Sequence, residues 1–191
     1  MADHFWWYVA RSGGLVAWTL IVASSVSGLL LATRTRGGRV TSASMLGLHR
    51  YLSALAVVST AVHVVAIVAD SFVQFGITDV LVPMAARWHP LAVAWGIVGM
   101  YLLVTIEVTS LLRRHLPIRA WRGIHLLSYA LFAVATVHLL TAGTDSADVL
   151  SDGIAIAVGV AAVFVGALLL TWRSAPRTRR QLASTDGVEH P

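Results

Sequence analysis

Five stretches of about twenty nearly uncharged residues constrain this chain more than any other feature. A helix of about 20 apolar residues spans the roughly 30 Å hydrocarbon core of a bilayer. The stretches run from about Leu15 to Thr33, between Arg50 and Asp70, from about Leu91 to Leu112, between Arg122 and Asp145, and from about Ile154 to Trp172. Only 12% of the 191 residues are charged, about half of what a soluble domain carries, so lipid is the solvent these residues suit. The pattern predicts an all-α fold, a polytopic membrane bundle of about five transmembrane helices. Residues 1–14 read as an N-terminal interfacial segment, because the cluster Phe5-Trp6-Trp7-Tyr8 suits the headgroup zone. With Asp3 and no basic n-region, the first stretch reads as a permanent helix rather than a cleaved signal. Residues 173–191 read as a short, basic, disordered tail.

Arginine placement sets the expected orientation. All the cationic side chains other than histidine are arginines. Arg34, Arg36, Arg39 and Arg50 follow the first stretch, and Arg113, Arg114, Arg119 and Arg122 follow the third. Arg173, Arg177, Arg179 and Arg180 follow the fifth. With five spans these regions share one side, and the opposite side carries Asp3, Asp70, Asp79, Asp145, Asp148 and Asp152 with only Arg11 and Arg87. The positive-inside rule puts the arginine side in the cytoplasm, the N-terminus outside and the C-terminus inside. Topology accounts for the net charge of +5 without invoking nucleic acid as a partner. The absence of cysteine excludes disulfides, thiolate metal sites, iron–sulfur clusters and thioether-linked haem.

Ionisable groups at membrane depth are costly and mark function. Of eight histidines, four lie in or at the edge of spans: His49 and His63 in the second, His125 and His138 in the fourth. The spacings of 14 and 13 residues correspond to about 21 and 19.5 Å along a helix. The second and fourth spans run in the same direction. His49 and His125 therefore share a level near the cytoplasm, and His63 and His138 share one near the outside. Neutral imidazole is a good axial ligand for haem iron, and each pair is suited to clamp one porphyrin between two helices. Zinc fits poorly, since two ligands per level are too few. A single membrane histidine is commonly just a hydrogen-bonded interhelical contact; a matched set of four is harder to explain that way. One geometric demand follows. At about 100° per residue, His63 returns to within about 40° of His49, whereas His138 lies about 140° from His125. The fourth span must bend, tilt or present its two histidines to different flanks.

The order of spans, the H-x13-H of the second and the H-x12-H of the fourth resemble the ferric reductase-like transmembrane domain superfamily. That superfamily includes NADPH oxidases, ferric reductases and the haem subunit of a bacterial methionine sulfoxide reductase system. The resemblance covers residues 15–172 and is most specific at Leu48-His49-Arg50 with His63, and at Arg122-Gly123-Ile124-His125 with His138. It implies two bis-histidine b-type haems, His49/His125 inside and His63/His138 outside, and electrons passing outward to an acceptor such as ferric iron, oxygen or an external reductase. Residues 173–191 are too few for a flavin and nicotinamide domain. Gly13-Gly14 and Gly37-Gly38 lack the strand–helix context of a phosphate loop. The expected electron source is a separate flavin dehydrogenase, a reduced flavin or a membrane quinol.

Several other residues have two readings. Arg50, Arg119 and Arg122 suit haem propionates or serve as topological anchors. Glu107 reads as an ion-pair partner of Arg50 or Arg122, or as a proton group at a quinol site. Asp70, Asp79, Asp145, Asp148 and Asp152 read as solvated loop charges, with attraction of Fe³⁺ as the alternative. Trp88 and Trp95 read as outer-interface anchors, with a place near the outer haem as the alternative. Gly96, Gly99, Gly159 and Gly166 mark close packing, and Gly47 and Gly123, each two residues before a histidine, either leave room for porphyrin or simply open their helices. Two alternatives stand beside the electron carrier: a haem-binding anchor subunit of a quinol-fed two-component reductase, and a small transporter or scaffold without haem.

Overall fold

A computed structural model describes residues 4–33, 41–71 and 74–143. Within them the order is α1 (Phe5–Thr33), α2 (Ser42–Ala69), α3 (Ile77–Leu81), α4 (Pro90–Leu111), a 3₁₀ turn (Arg113–His115), α5 (Ile118–His125) and α6 (Leu127–Ala142). No strand occurs among the described residues. Four helical segments are long and apolar enough to cross a bilayer: Phe5–Ala32, Ser42–Ala69, Pro90–Leu111 and Ile118–Ala142. They correspond to the first four expected spans. The expected span at 154–172 and the tail lie outside the described residues. The first helix begins at Phe5, so the aromatic cluster forms its opening turns.

Local chemistry sets the boundaries. Thr41 caps α2, its hydroxyl accepting the Ser44 backbone N–H at 3.1 Å. The Asp79 carboxylate accepts the backbone N–H of Gly76 at 2.8 Å and so fixes the start of α3. Pro90 opens α4 at a position where no N–H is needed, after His89 in a left-handed conformation (φ 39°). Pro117 precedes α5.

Among the described residues the bundle consists of two antiparallel hairpins. α1 packs along α2, and α4 packs along α6, with α1 against α6 and α2 against α4 joining them. Small residues set the close approach. Along α1, Ala10, Gly14, Ala17, Ile21, Ser24 and Gly28 are spaced 4-3-4-3-4, and along α4 so are Ala92, Gly96, Gly99, Leu103, Ile106 and Ser110. This alternation makes a straight seam along a helix, and small side chains on it bring helix backbones together in membranes. Midway along the bundle, Ile21, Ala56, Leu103, Ile106 and Leu131 form one buried apolar cluster drawn from α1, α2, α4 and α6.

Candidate functional site

The four span histidines meet in two pairs. The rings of His49 and His125 have centroids 6.1 Å apart, and those of His63 and His138 are 6.3 Å apart; in both pairs the planes cross at 76°. Ala56 of the apolar cluster lies seven residues from each α2 histidine, so the cluster separates the two levels.

Each imidazole is tied at Nδ1. His63 Nδ1 donates to the Ala10 carbonyl at 2.6 Å and His138 Nδ1 to the Ala92 carbonyl at 2.8 Å. His49 Nδ1 donates to the Ser24 carbonyl at 2.9 Å, with the hydroxyls of Ser24 and Ser27 at 3.2 and 3.3 Å. His125 Nδ1 has only the Ser110 hydroxyl, at 3.5 Å. A carbonyl accepts and cannot donate, so the proton of His49, His63 and His138 is held at Nδ1 and the lone pair is left on Nε2. Metal-binding histidines use this arrangement of the second ring nitrogen.

Glycines on the facing helix let the rings in. A Cβ placed on Gly14 would lie 2.9 Å from His63 Nδ1, and one on Gly96 would lie 2.7 Å from His138 Cε1. At Gly28 it would lie 3.1 Å from His49 Cε1. A cavity of about 380 Å³ opens beside His63 and His138, walled by Gly14, Trp18, Gly96 and Leu103 among others. That volume falls in the range of roughly 300–1,000 Å³ typical of cofactor and ligand pockets.

The fourth span is broken beside His125, which answers part of its rotational demand. α5 ends at His125, Leu126 lies between the two helices, and Tyr129 N–H bonds back to the Leu126 carbonyl at 3.2 Å, an i→i+3 step. A 3₁₀ step turns about 20° more than an α step, so the break turns His138 about 20° toward the face of His125 and about 120° of the offset remains.

Other expected residues fall in varied places. Arg50 and Arg122 are exposed, at the same end of the bundle as His49 and His125. Arg119 and Arg113 are exposed there too, and Arg113 lies over the Trp121 ring at 4.6 Å. Trp121 in turn stacks on His125, with centroids 5.0 Å apart and planes at 22°; its Nε1–H is buried and has no hydrogen-bond partner. Glu107 is half-buried and makes no ion pair with Arg50 or Arg122, contrary to the structural reading of the sequence. Asp70 also differs from expectation. It follows the end of α2, is only 8% exposed and lines the cavity with Arg11, Phe75, Val80 and Trp88. Asp79 caps α3. Trp88 lines the cavity and Trp95 is exposed on α4. A Cβ on Gly47 or Gly123 would meet no atom within 4 Å. Asp145, Asp148, Asp152, Gly159 and Gly166 lie outside the described residues.

Sequence reasoning missed Gly14, Gly28, Ser24, Ser27, Ser110 and Trp121. A signal existed: Gly14 and Gly28 stand 14 residues apart, as His49 and His63 do.

A family model for the ferric reductase like transmembrane component matches residues 12–136, from the first turns of α1 to Thr136, two residues short of His138. No curated protein and no solved structure matches the chain significantly. The matched residues take in both hairpins and three of the four paired histidines, and the chain belongs to the ferric reductase-like transmembrane family.

Proposed function

We propose that this chain carries electrons across the membrane through two b-type haems, held by His49 and His125 at the cytoplasmic level and by His63 and His138 at the outer level. The carrying observation is the double pairing of imidazoles at 6.1 and 6.3 Å. With metal–nitrogen bonds of about 2 Å and about 1 Å from nitrogen to ring centre, imidazoles on opposite sides of one metal put their centroids about 6 Å apart. Three Nδ1–carbonyl hydrogen bonds that leave Nε2 free support the same reading, as does the cavity beside His63 and His138. Bound haem would supply reversible one-electron chemistry at iron.

The protein's own residues do the rest. The histidines fix position and ligand basicity, and the carbonyls of Ala10, Ser24 and Ala92 hold the reactive nitrogen toward the gap. Arg50 and Arg122 lie beside the inner pair and suit propionate carboxylates. Arginine distribution argues for an N-terminus outside, a cytoplasmic C-terminus and outward electron flow. The functional unit spans residues 15–172, with a separate flavin dehydrogenase or a quinol as donor and an external acceptor or reductase beyond.

The test is a reduced-minus-oxidised spectrum of the purified chain with haem quantification. Wild type should show b-type bands, and His63→Ala and His125→Ala should each remove about one site. A colourless protein expressed with ample haem would refute the proposal and favour a transporter or scaffold. Undiminished bands in both variants would refute the ligand assignment. Reduction by a quinol analogue would identify the chain as the membrane subunit of a quinol-fed reductase.

A further inference from the structure

The three carbonyls that receive the imidazoles share one sequence relation. Four residues after Ala10, Ser24 and Ala92 stand Gly14, Gly28 and Gly96, the glycines against which the same rings rest. Inside an α-helix the carbonyl of residue i already accepts the N–H of residue i+4. The Cβ of residue i+4 tilts toward the helix N-terminus, back over that oxygen. Any side chain there screens the second lone pair of the carbonyl. Glycine leaves it open, and the imidazole enters: the closest ring atoms lie 2.7–3.1 Å from where the missing Cβ atoms would be, inside the roughly 3.5–4.0 Å of ordinary carbon contact.

The α4 seam repeats the α1 seam position for position. Ala10-Gly14-Ala17-Ile21-Ser24-Gly28 corresponds to Ala92-Gly96-Gly99-Leu103-Ile106-Ser110. The fourth carbonyl of this pattern belongs to Ile106, which accepts the Thr109 hydroxyl at 3.1 Å, and the residue four positions later is Ser110 in place of glycine. His125 accordingly meets the Ser110 hydroxyl at 3.5 Å.

We propose that a helix carbonyl followed four residues later by glycine is the seat of each ligand imidazole, that Gly14, Gly28 and Gly96 are positioning residues for His63, His49 and His138, and that Ser110 closes the fourth seat and leaves His125 the loosest of the four. The proposal rests on the haem reading above. A carbonyl fixes the imidazole tautomer, whereas a hydroxyl both donates and accepts. His125 therefore lacks the fixed tautomer of its three counterparts and donates less strongly. The two levels differ in ligand strength by design of the facing helix, with the outer pair seated twice and the inner pair once.

Wild type, Gly96→Ala, Gly28→Ala, Gly99→Ala and Ser110→Gly are purified and compared by haem content, low-temperature EPR of the ferric state and potentiometric titration. Gly96→Ala should lose the outer signal and roughly half the haem, since outer-shell partners govern metal affinity by about 10–100-fold. Gly28→Ala should lose the inner signal and spare the outer one, a reciprocal pattern that general misfolding cannot produce. Gly99→Ala, whose Cβ meets Val134 at an ordinary 3.6 Å, should keep both. Ser110→Gly should keep both and lower only the inner midpoint potential, because a stronger Nδ1–H bond to the Ile106 carbonyl raises ligand basicity. Retention of both signals in Gly96→Ala and Gly28→Ala, equal losses in Gly99→Ala, or an unmoved inner potential in Ser110→Gly would each overturn the proposal. If histidine variants lose haem while the glycine variants do not, only the seats fail. If wild type binds no haem, the functional reading fails and takes the seats with it.

Discussion

Removing the hydrogen bond between Trp18 and Thr136 should loosen the two hairpins by a measurable amount. The Trp18 indole N–H donates to Thr136 Oγ1 at 3.0 Å, joining α1 to α6 two residues from His138. The same hydroxyl spends its proton on the Phe132 carbonyl at 2.8 Å, so its lone pair faces Trp18. Trp18→Phe removes the donor and keeps most of the ring; Thr136→Val removes the acceptor and keeps the shape. Interhelical hydrogen bonds in membrane proteins are worth about 0.6 kcal/mol on average and at most about 1.7, or about 3- to 18-fold in the folded-to-unfolded ratio. The two single variants and the double variant form a cycle whose coupling should fall in that range. Equilibrium unfolding in mixed micelles, followed by circular dichroism, measures it. A coupling indistinguishable from zero would refute the claim that this bond holds the hairpins in register.

Leu103→Ala should cost about 2–5 kcal/mol in the same unfolding assay, since Leu103 is 6% exposed within the central cluster; a loss under about 1 kcal/mol would show that the cluster collapses freely. Thr41→Ala should cost about 1 kcal/mol through the α2 cap, with Thr41→Ser restoring it. Asp70→Asn should raise stability by about 0.3–2 kcal/mol, because a buried carboxylate at the C-terminal end of α2 opposes the helix dipole; a drop would reveal a cationic partner. Tyr101→Phe should lower hydrogen-exchange protection in α3 alone, since the Tyr101 hydroxyl ties α4 to the Leu81 carbonyl. Equal loss along α4 would count against that local role.

The four described spans and the pairing of histidine levels were legible because both are properties of single helices. Apolar length reads directly off the chain, and the 14- and 13-residue spacings fix axial level whatever the neighbours are. The break at Leu126 was legible only as a rotational deficit, since Leu126 is not a helix-breaking residue. Gly14 and Gly28 were opaque for another reason. A glycine announces only that space is left, and what fills it depends on which helix packs opposite. Asp70 was misread because loop charge ordinarily means solvent, and the fold of residues 74–90 over the end of α2 is a tertiary event. Glu107 was paired on paper with arginines that share its end of the bundle, but axial proximity does not supply the facing direction.

The central cluster carries a consequence of its own. Ile21, Ala56, Leu103 and Leu131 stand between the two histidine levels without a hydrogen-bonding side-chain atom among them. Water and ions need polar partners to travel through hydrocarbon depth, and these cluster side chains supply none. Among the described residues this waist therefore offers ions no polar relay from one histidine level to the other.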